Sequence, residues 1–346
     1  MNYQPGVEVV RGGLVESVHH AAVAVADPEG KLFASWGSPE TVTYMRSSAK
    51  PFQILPLLDG GGVSCFDFSL QEIAIMCASH SGTDLHVRTV LSIQGKVGVT
   101  EGDLLCGVHP PYDLETADRL KEEGVEPTPN RHNCSGKHSG MLALARLIGA
   151  PIDDYIHPQH PVQQRILKAL GEMCDLKAEE IRIGVDGCSV PTFAIPLKSA
   201  ATAFARLADP RPWIEARAEA CRIVWQAMTT HPDMVAGPIR FDTHLMQAAK
   251  GLLLAKGGAE GYQGISIAAG ALGEGSPALG VALKIADGDH EGRARSIVAL
   301  KVLKDLGALS GVQRDSLSRF DARELNNWRG IRVGELRPCL ELKHPT

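Results

Sequence analysis

The chain has 346 residues, a formal net charge of −5, 44% apolar residues and 22% charged residues; that length suits two domains or one large one, and the composition is ordinary for a globular protein. A net negative charge argues against a nucleic-acid partner, which wants a basic surface. No apolar run reaches the roughly 18 residues of a membrane span, and the opening "MNYQPGVEVVRGG" lacks the basic and apolar regions of a secretory signal.

The eight cysteines are therefore expected to be reduced thiols of a cytoplasmic chain. In chain order, "HAAVAVAD" and "KLFASWG" predict two strands joined in a hairpin around Pro28-Glu29-Gly30. "ETVTYMR" predicts a further extended segment, and "SSAKPFQILPLLDGGG" a helix that stops at its glycines. Helical spacing follows in "SLQEIAIMCASH", "TDLHVRTVLSIQGKVG", "YDLETADRLKEEG" and "MLALARLIGA". It recurs in "HPVQQRILKALGEMCDL", "WIEARAEACRIVWQAMTTH" and "RFDTHLMQAAKG", with a strand and loop in "EEIRIGVDGCSVPTFAIP" between the first two. "GISIAAGA" and "LGVALKIADG" predict an antiparallel hairpin across "LGEGSP", then "GRARSIVALKVLKDLGAL" a helix. The tail reads as polar and irregular.

Strands at both ends with helices between do not alternate as in a doubly wound sheet. The order predicts an α+β fold: an antiparallel sheet built from both chain ends and flanked by helices, plus a mostly helical region. The expected lobes are residues 1–60 with 235–346 for the sheet and 61–234 for the helices.

Three short stretches carry chemistry. In "RSSAK", Ser47 and Lys50 lie three apart and share a face of any helix that starts there. Pro51 then falls in the first turn, where a missing N–H matters least. The positive end of a helix disfavours an ammonium and favours an amine that can take a serine proton. The ordinary alternative is a serine cap, with Ser48 in that role, and a surface lysine. "CASHSGTDLH" places Ser79, His80 and Ser81 at a helix end, and "AKGGAEG" sets Lys256 among glycines; each also reads as a plain helix C-terminus. "NRHNCSGKHSG" offers His132, Cys134, Lys137 and His138, and "VDGCSVP" offers Asp186 and Cys188. Two cysteines in glycine-rich loops could hold a soft metal, with zinc the default, or be buried thiols; the spacing is that of no zinc finger.

Taken together and in this order, "MRSSAKPFQ", "CASHSG", "NCSGKHSGM", "GVDGCSVPTFA", "MVAG" and "AKGGAEG" resemble the bacterial asparaginase II family of Rhizobium type, over about residues 7 to 330. The Thr-Gly-Gly-Thr signature of the common bacterial asparaginases is absent. The resemblance implies hydrolysis of L-asparagine to L-aspartate and ammonia by a homodimer with a serine β-lactamase/glutaminase-like fold. It implies two Ser-Lys pairs, Ser47 with Lys50 and Ser79 with Lys256. It implies a zinc site of Cys134, Lys137 and Cys188 with Asp186 beside it, and substrate contacts from Arg46, His138 and Asp186. Two rivals stand beside it. One is another serine–lysine hydrolase, such as a glutaminase or a β-lactamase-like enzyme, although "SDN" and "KTG" are absent. The other is a non-catalytic, zinc-stabilised amino-acid-binding protein, which would have no use for two Ser-Lys pairs.

Overall fold

A computed structural model describes residues 2–211 and 213–345. The chain divides into two units, Met1–Ser48 with Ile195–Asp209 and His244–Thr346, and Ala49–Ala194 with Pro210–Thr243.

The strands are β1 (Gln4–Arg11), β2 (Leu14–Ala26), β3 (Leu32–Trp36), β4 (Val42–Tyr44), β5 (Arg182–Val185), β6 (Pro191–Pro196), β7 (Leu253–Gly257), β8 (Tyr262–Ile267), β9 (Leu279–Ile285), β10 (Arg323–Asn326) and β11 (Arg332–Pro338). The first unit is an α+β body. Its antiparallel sheet runs β10-β11-β1-β2-β9-β8-β7, with β3 also paired to β2. Both chain ends supply it, as predicted. The long β2 is its pivot: Ala21–Ala26 pair with Ile285–Gly280 of β9, while Val23–Ala26 meet β3 on the other edge. Helices Leu197–Ala208 and Arg295–Asp305 pack against this sheet. Strands β8 and β9 are buried along their whole length, so they read as apolar runs rather than as alternation.

Several elements lie outside the sequence reading. The tail holds β10 and β11, and the opening residues form β1, whose register with β11 pairs Val7 with Pro338 and Val10 with Glu335. These strands read as irregular because their exposed positions carry charges, paired across the ladder as Arg332–Glu324 and Arg337–Glu8. Helix Leu197–Ala208 is rich in alanine, and its buried face of Ala200, Ala201, Phe204 and Ala205 lies close to the strands. The segment "AKGG" ends strand β7 instead of a helix.

The second unit is mostly helical, with β5 and β6 pairing antiparallel. Its core helices begin with side-chain caps: Ser69 and Glu72 form a reciprocal box, as do Thr83 and His86. Helices Leu70–Met76, Asp84–Val97 and Ser135–Leu147 pack on one another. The helix expected from Ser48 onward is broken into a 3-10 turn, Arg46–Ala49, and two short helices, Lys50–Gln53 and Leu55–Asp59. Pro51 and Pro56 each stand in the first turn of one of these, where no intrahelical donor is needed. Among the described residues, no helix is long and apolar enough to cross a membrane.

Candidate active site

In the first unit, Arg46 opens the 3-10 turn in the left-handed region, at φ 50°. Half-buried Ser47 follows it. Ser48 is not a helix cap; the cap position is Ala49, with no side-chain bond. Instead the buried Ser48 hydroxyl donates to the carbonyl of Lys256, at 2.7 Å. This bond ties the turn to β7. Gly258 makes the approach possible, because a Cβ there would lie 2.6 Å from the Met45 carbonyl and 3.2 Å from Ser48 Oγ. Lys256 is not a surface lysine: it is 1% exposed, and its Nζ donates to the Gly257 carbonyl at 2.7 Å. The Arg46 guanidinium lies 4.0 Å from Glu260. The stretch Arg46–Ser48 and the segment "AKGGAEG", distant in the chain, thus form one neighbourhood.

In the second unit, Lys50 is also 1% exposed. Its Nζ donates to the Ala78 carbonyl, to Ser79 Oγ at 3.0 Å, to Cys134 Sγ at 3.1 Å and, more distantly, to the Asn133 carbonyl at 3.5 Å. Within this unit, Ser79 is the serine whose hydroxyl Lys50 meets. The one-turn helix carrying Lys50 contributes little macrodipole; the lysine's surroundings are set instead by two separate segments, 78–79 and 133–134.

Ser79 is held by its loop. Its N–H donates to the Val235 carbonyl at 2.9 Å, and the N–H of His80 to the Asn133 carbonyl at 3.2 Å. His80 Nδ1 accepts from the Gly82 N–H at 3.2 Å, so its Nε2–H donates to Ser135 Oγ at 2.9 Å, which donates in turn to the Asn130 carbonyl at 2.9 Å. Burial, then the neighbouring His86, holds the His80 imidazole well below its ordinary range, consistent with this neutral tautomer. His86 stacks on it with ring centroids 5.0 Å apart and is likewise lowered by burial.

The cysteine cluster adjoins Lys50. Lys137 Nζ donates to Cys188 Sγ at 2.8 Å. Cys188 hydrogen-bonds Cys134, and this bond, helped by the charges of Lys50 and Lys137, holds the Cys134 thiol well below its ordinary range despite burial. The same bond, with burial, raises Cys188. Burial alone would lower Lys137, but the negative charges of Cys188, Cys134 and Asp186 hold it up. Asp186 sits at the mouth of the tight turn that carries Cys188: Asp186 N–H donates to the Val190 carbonyl and Ser189 N–H to the Asp186 carbonyl, both at 2.9 Å, with Ser189 at φ 75°. Among the described residues, no group of three or more His, Cys, Asp or Glu could hold a metal. A metal here needs Lys137 as its third donor. Two sulfurs and an amine are a donor set that suits a borderline-soft cation such as zinc, which would replace the proton on Lys137 and that on Cys188.

His138 follows Lys137 on the helix Ser135–Leu147 and is fully buried. Asn133, His132 and Tyr155 complete this neighbourhood without having been assigned a role from sequence. Asn133 and His132 lie inside a motif already singled out: the Asn133 carbonyl faces Lys50, and His132 Nδ1 accepts from the Cys134 N–H at 3.0 Å. Tyr155 stands in "IDDYIHPQHP", which carries no signal of its own.

The structure is similar to that of Mglu in its native form, with a TM-score of 0.45 and 14% identity over 84% of this chain. The matched part is 66% of that chain, so this protein spans just under two thirds of Mglu's length. It is also similar to a probable glutaminase from Bacillus subtilis solved with 6-diazo-5-oxo-L-norleucine, with a TM-score of 0.40, 10% identity, and 86% and 87% of the two chains covered. No curated protein matches in sequence. The sequence model of the L-asparaginase II family matches residues 7–338, a span that contains every motif described above. The chain belongs to the L-asparaginase II family.

Proposed function

We propose that this amidohydrolase cleaves the side-chain amide of L-asparagine, releasing L-aspartate and ammonia through a seryl ester. The observation that carries the reading is the buried Lys50–Ser79 hydrogen bond of 3.0 Å within the matched family span. An amine and a hydroxyl at that distance, shielded from water, are the elements of nucleophile activation and proton transfer.

In this scheme Ser47 Oγ attacks the amide carbon, and Lys50, three residues on, takes its proton. Ser79 and Lys256 pass a proton to the leaving nitrogen, so that the C–N bond breaks with ammonia departing neutral. Backbone N–H groups hold the oxyanion. Water then adds to the ester and returns the proton to Ser47, giving aspartate. Arg46 suits the substrate's α-carboxylate, and His138 and Asp186 are polar groups available to the rest of the amino acid. Cys134, Lys137 and Cys188 would hold zinc, which when bound supplies a Lewis acid that anchors substrate or shapes the pocket. The serine nucleophile leaves it no need to make hydroxide. The same family reading extends to a cytoplasmic homodimer.

Ammonia release from L-asparagine and L-glutamine, with and without added zinc, tests this reading. One methylene is worth only about 1–3 kcal/mol of discrimination, so both substrates belong in the assay. Ser47→Ala is expected to lose activity by roughly three orders of magnitude or more while staying folded. Near-normal turnover of that variant would move the nucleophile to Ser79. Chelation is expected to raise KM; a change in kcat alone would remove the anchoring role. Nitrocefin hydrolysis without ammonia release from either amide would favour the β-lactamase-like rival, and tight asparagine binding with no turnover the binding-protein one.

A further inference from the structure

His138 is 0% exposed and carries two ring nitrogens, of which one has a partner. Its Nδ1 lies 2.6 Å from the Tyr155 hydroxyl. Among the described residues, its Nε2 is buried with no hydrogen-bond partner. The proton on this ring can be placed from the bonds around Tyr155. The Leu105 N–H donates to the Tyr155 oxygen at 2.9 Å. Tyr155 is itself fully buried, so its own O–H needs an acceptor. His138 Nδ1 is the acceptor beside it. The phenol therefore donates to Nδ1, and the neutral ring must carry its proton on Nε2.

Tyr155 is itself fixed. Gln163 Nε2 donates to its carbonyl at 2.8 Å, and the phenol and imidazole rings meet edge-on, with centroids 5.5 Å apart at 79°. The result is an N–H donor, locked in one tautomer and one orientation, with no protein acceptor. It lies in the electrostatic company of Lys137, Cys134, His132 and Lys50. A buried unpaired donor is costly unless something accepts from it.

We propose that Tyr155 is a positioning residue that holds His138 as an Nε2–H donor for an oxygen acceptor of the bound amino acid. The acceptor class is a carboxylate or carbonyl oxygen; an ammonium is excluded because it cannot accept. Only the kinetic part of the test rests on the asparaginase reading.

Two measurements decide it. In protein labelled with 15N-histidine, the imidazole resonance lost in His138→Gln is expected to show the Nε2–H tautomer; a proton on Nδ1 would overturn the proposal whether or not any variant folds. In steady-state kinetics, Tyr155→Phe is expected to raise KM for asparagine about tenfold, with kcat changed by less than about threefold. The same substitution made in the His138→Gln background is expected to add nothing, because its effect passes through that ring. An equal penalty in both backgrounds would mark Tyr155 as structural only and sink the proposal, as would an unchanged KM. If asparagine is not turned over by the wild type, the substrate reading fails while the tautomer assignment still stands or falls on the resonance.

Discussion

The two buried lysines, Lys50 and Lys256, are equally hidden from solvent, at 1% exposure each, yet they are held in different ways. Lys256 stands near the end of strand β7. Its backbone carbonyl anchors the turn after Met45, and its amine reaches the neighbouring Gly257 carbonyl. The ladder with β8, which pairs Lys256 with Gly264, determines where it points. Lys50 sits on one turn of helix, and its amine is gripped by side-chain and backbone groups from the 78–79 and 133–134 segments, including Cys134 Sγ. One lysine is positioned by register, the other by charge. Buried polar groups that hold each other in this way are sensitive to the loss of either partner.

The sharpest way to break this contrast is to neutralise each lysine. Lys50→Met removes the amine from both Ser79 Oγ and Cys134 Sγ. It is expected to abolish ammonia release by about a thousandfold or more and to lower Tm, whereas Lys256→Met should lose activity by about ten- to a hundredfold with a smaller change in Tm. Equal losses of both activity and stability would erase the distinction.

A second test concerns the register side. Gly258→Ala places a Cβ within 2.6 Å of the Met45 carbonyl, and backbone cannot move aside as a flexible side chain can. The expected loss is about 1–3 kcal/mol of stability, read by denaturant unfolding, with activity reduced through the displaced turn that carries Ser47. An unchanged protein would mean that the strand is not pressed against that turn.

The charge side has a pH signature, and it is the smallest of the three effects. Folded His80 and His86 are held below the ordinary histidine value of 6.5 by burial. The unfolded chain therefore binds protons that the folded chain refuses, so stability is full above about 6.5 and falls as pH drops through that value. Glu72 adds a second decline further down. Burial would raise its carboxyl, but bonds from Lys96, Ser69 and Ser92 hold it below its ordinary 4.5, so its contribution is present above that value and is lost as pH falls through its folded value. Replacing His80 with glutamine should flatten the upper part of the Tm–pH curve; a curve of unchanged shape would show that this ring stays unprotonated in both states.

Much of the architecture was legible from the residues. The hairpins around Pro28-Glu29-Gly30 and across 268–278, and most of the helices, follow from periodicity and turn chemistry. The order of the motifs by itself points to the family. What escaped did so for local reasons. Strands β10 and β11 carry charges at exposed ladder positions, so their pattern mimics loop. The alanine-rich helix Leu197–Ala208 has little contrast between its faces. Tyr155 has no motif around it, and its meaning lies in a bond to a ring 17 residues away.

The sequence by itself marked the candidates for chemistry: serines, lysines and cysteines set among glycines, in a chain whose residues 7–338 match one family. Only the tertiary structure decided how they are shared out. It gave Lys50 to Ser79 and Cys134, turned Ser48 from a helix cap into the clasp on β7, and buried Lys256 in a strand. The physical reason is that spacing along a chain specifies neighbours within one helix turn and no further. Hydrogen bonds between segments 29, 84 or 208 residues apart form only when packing brings those segments together and excludes the water that would otherwise satisfy them.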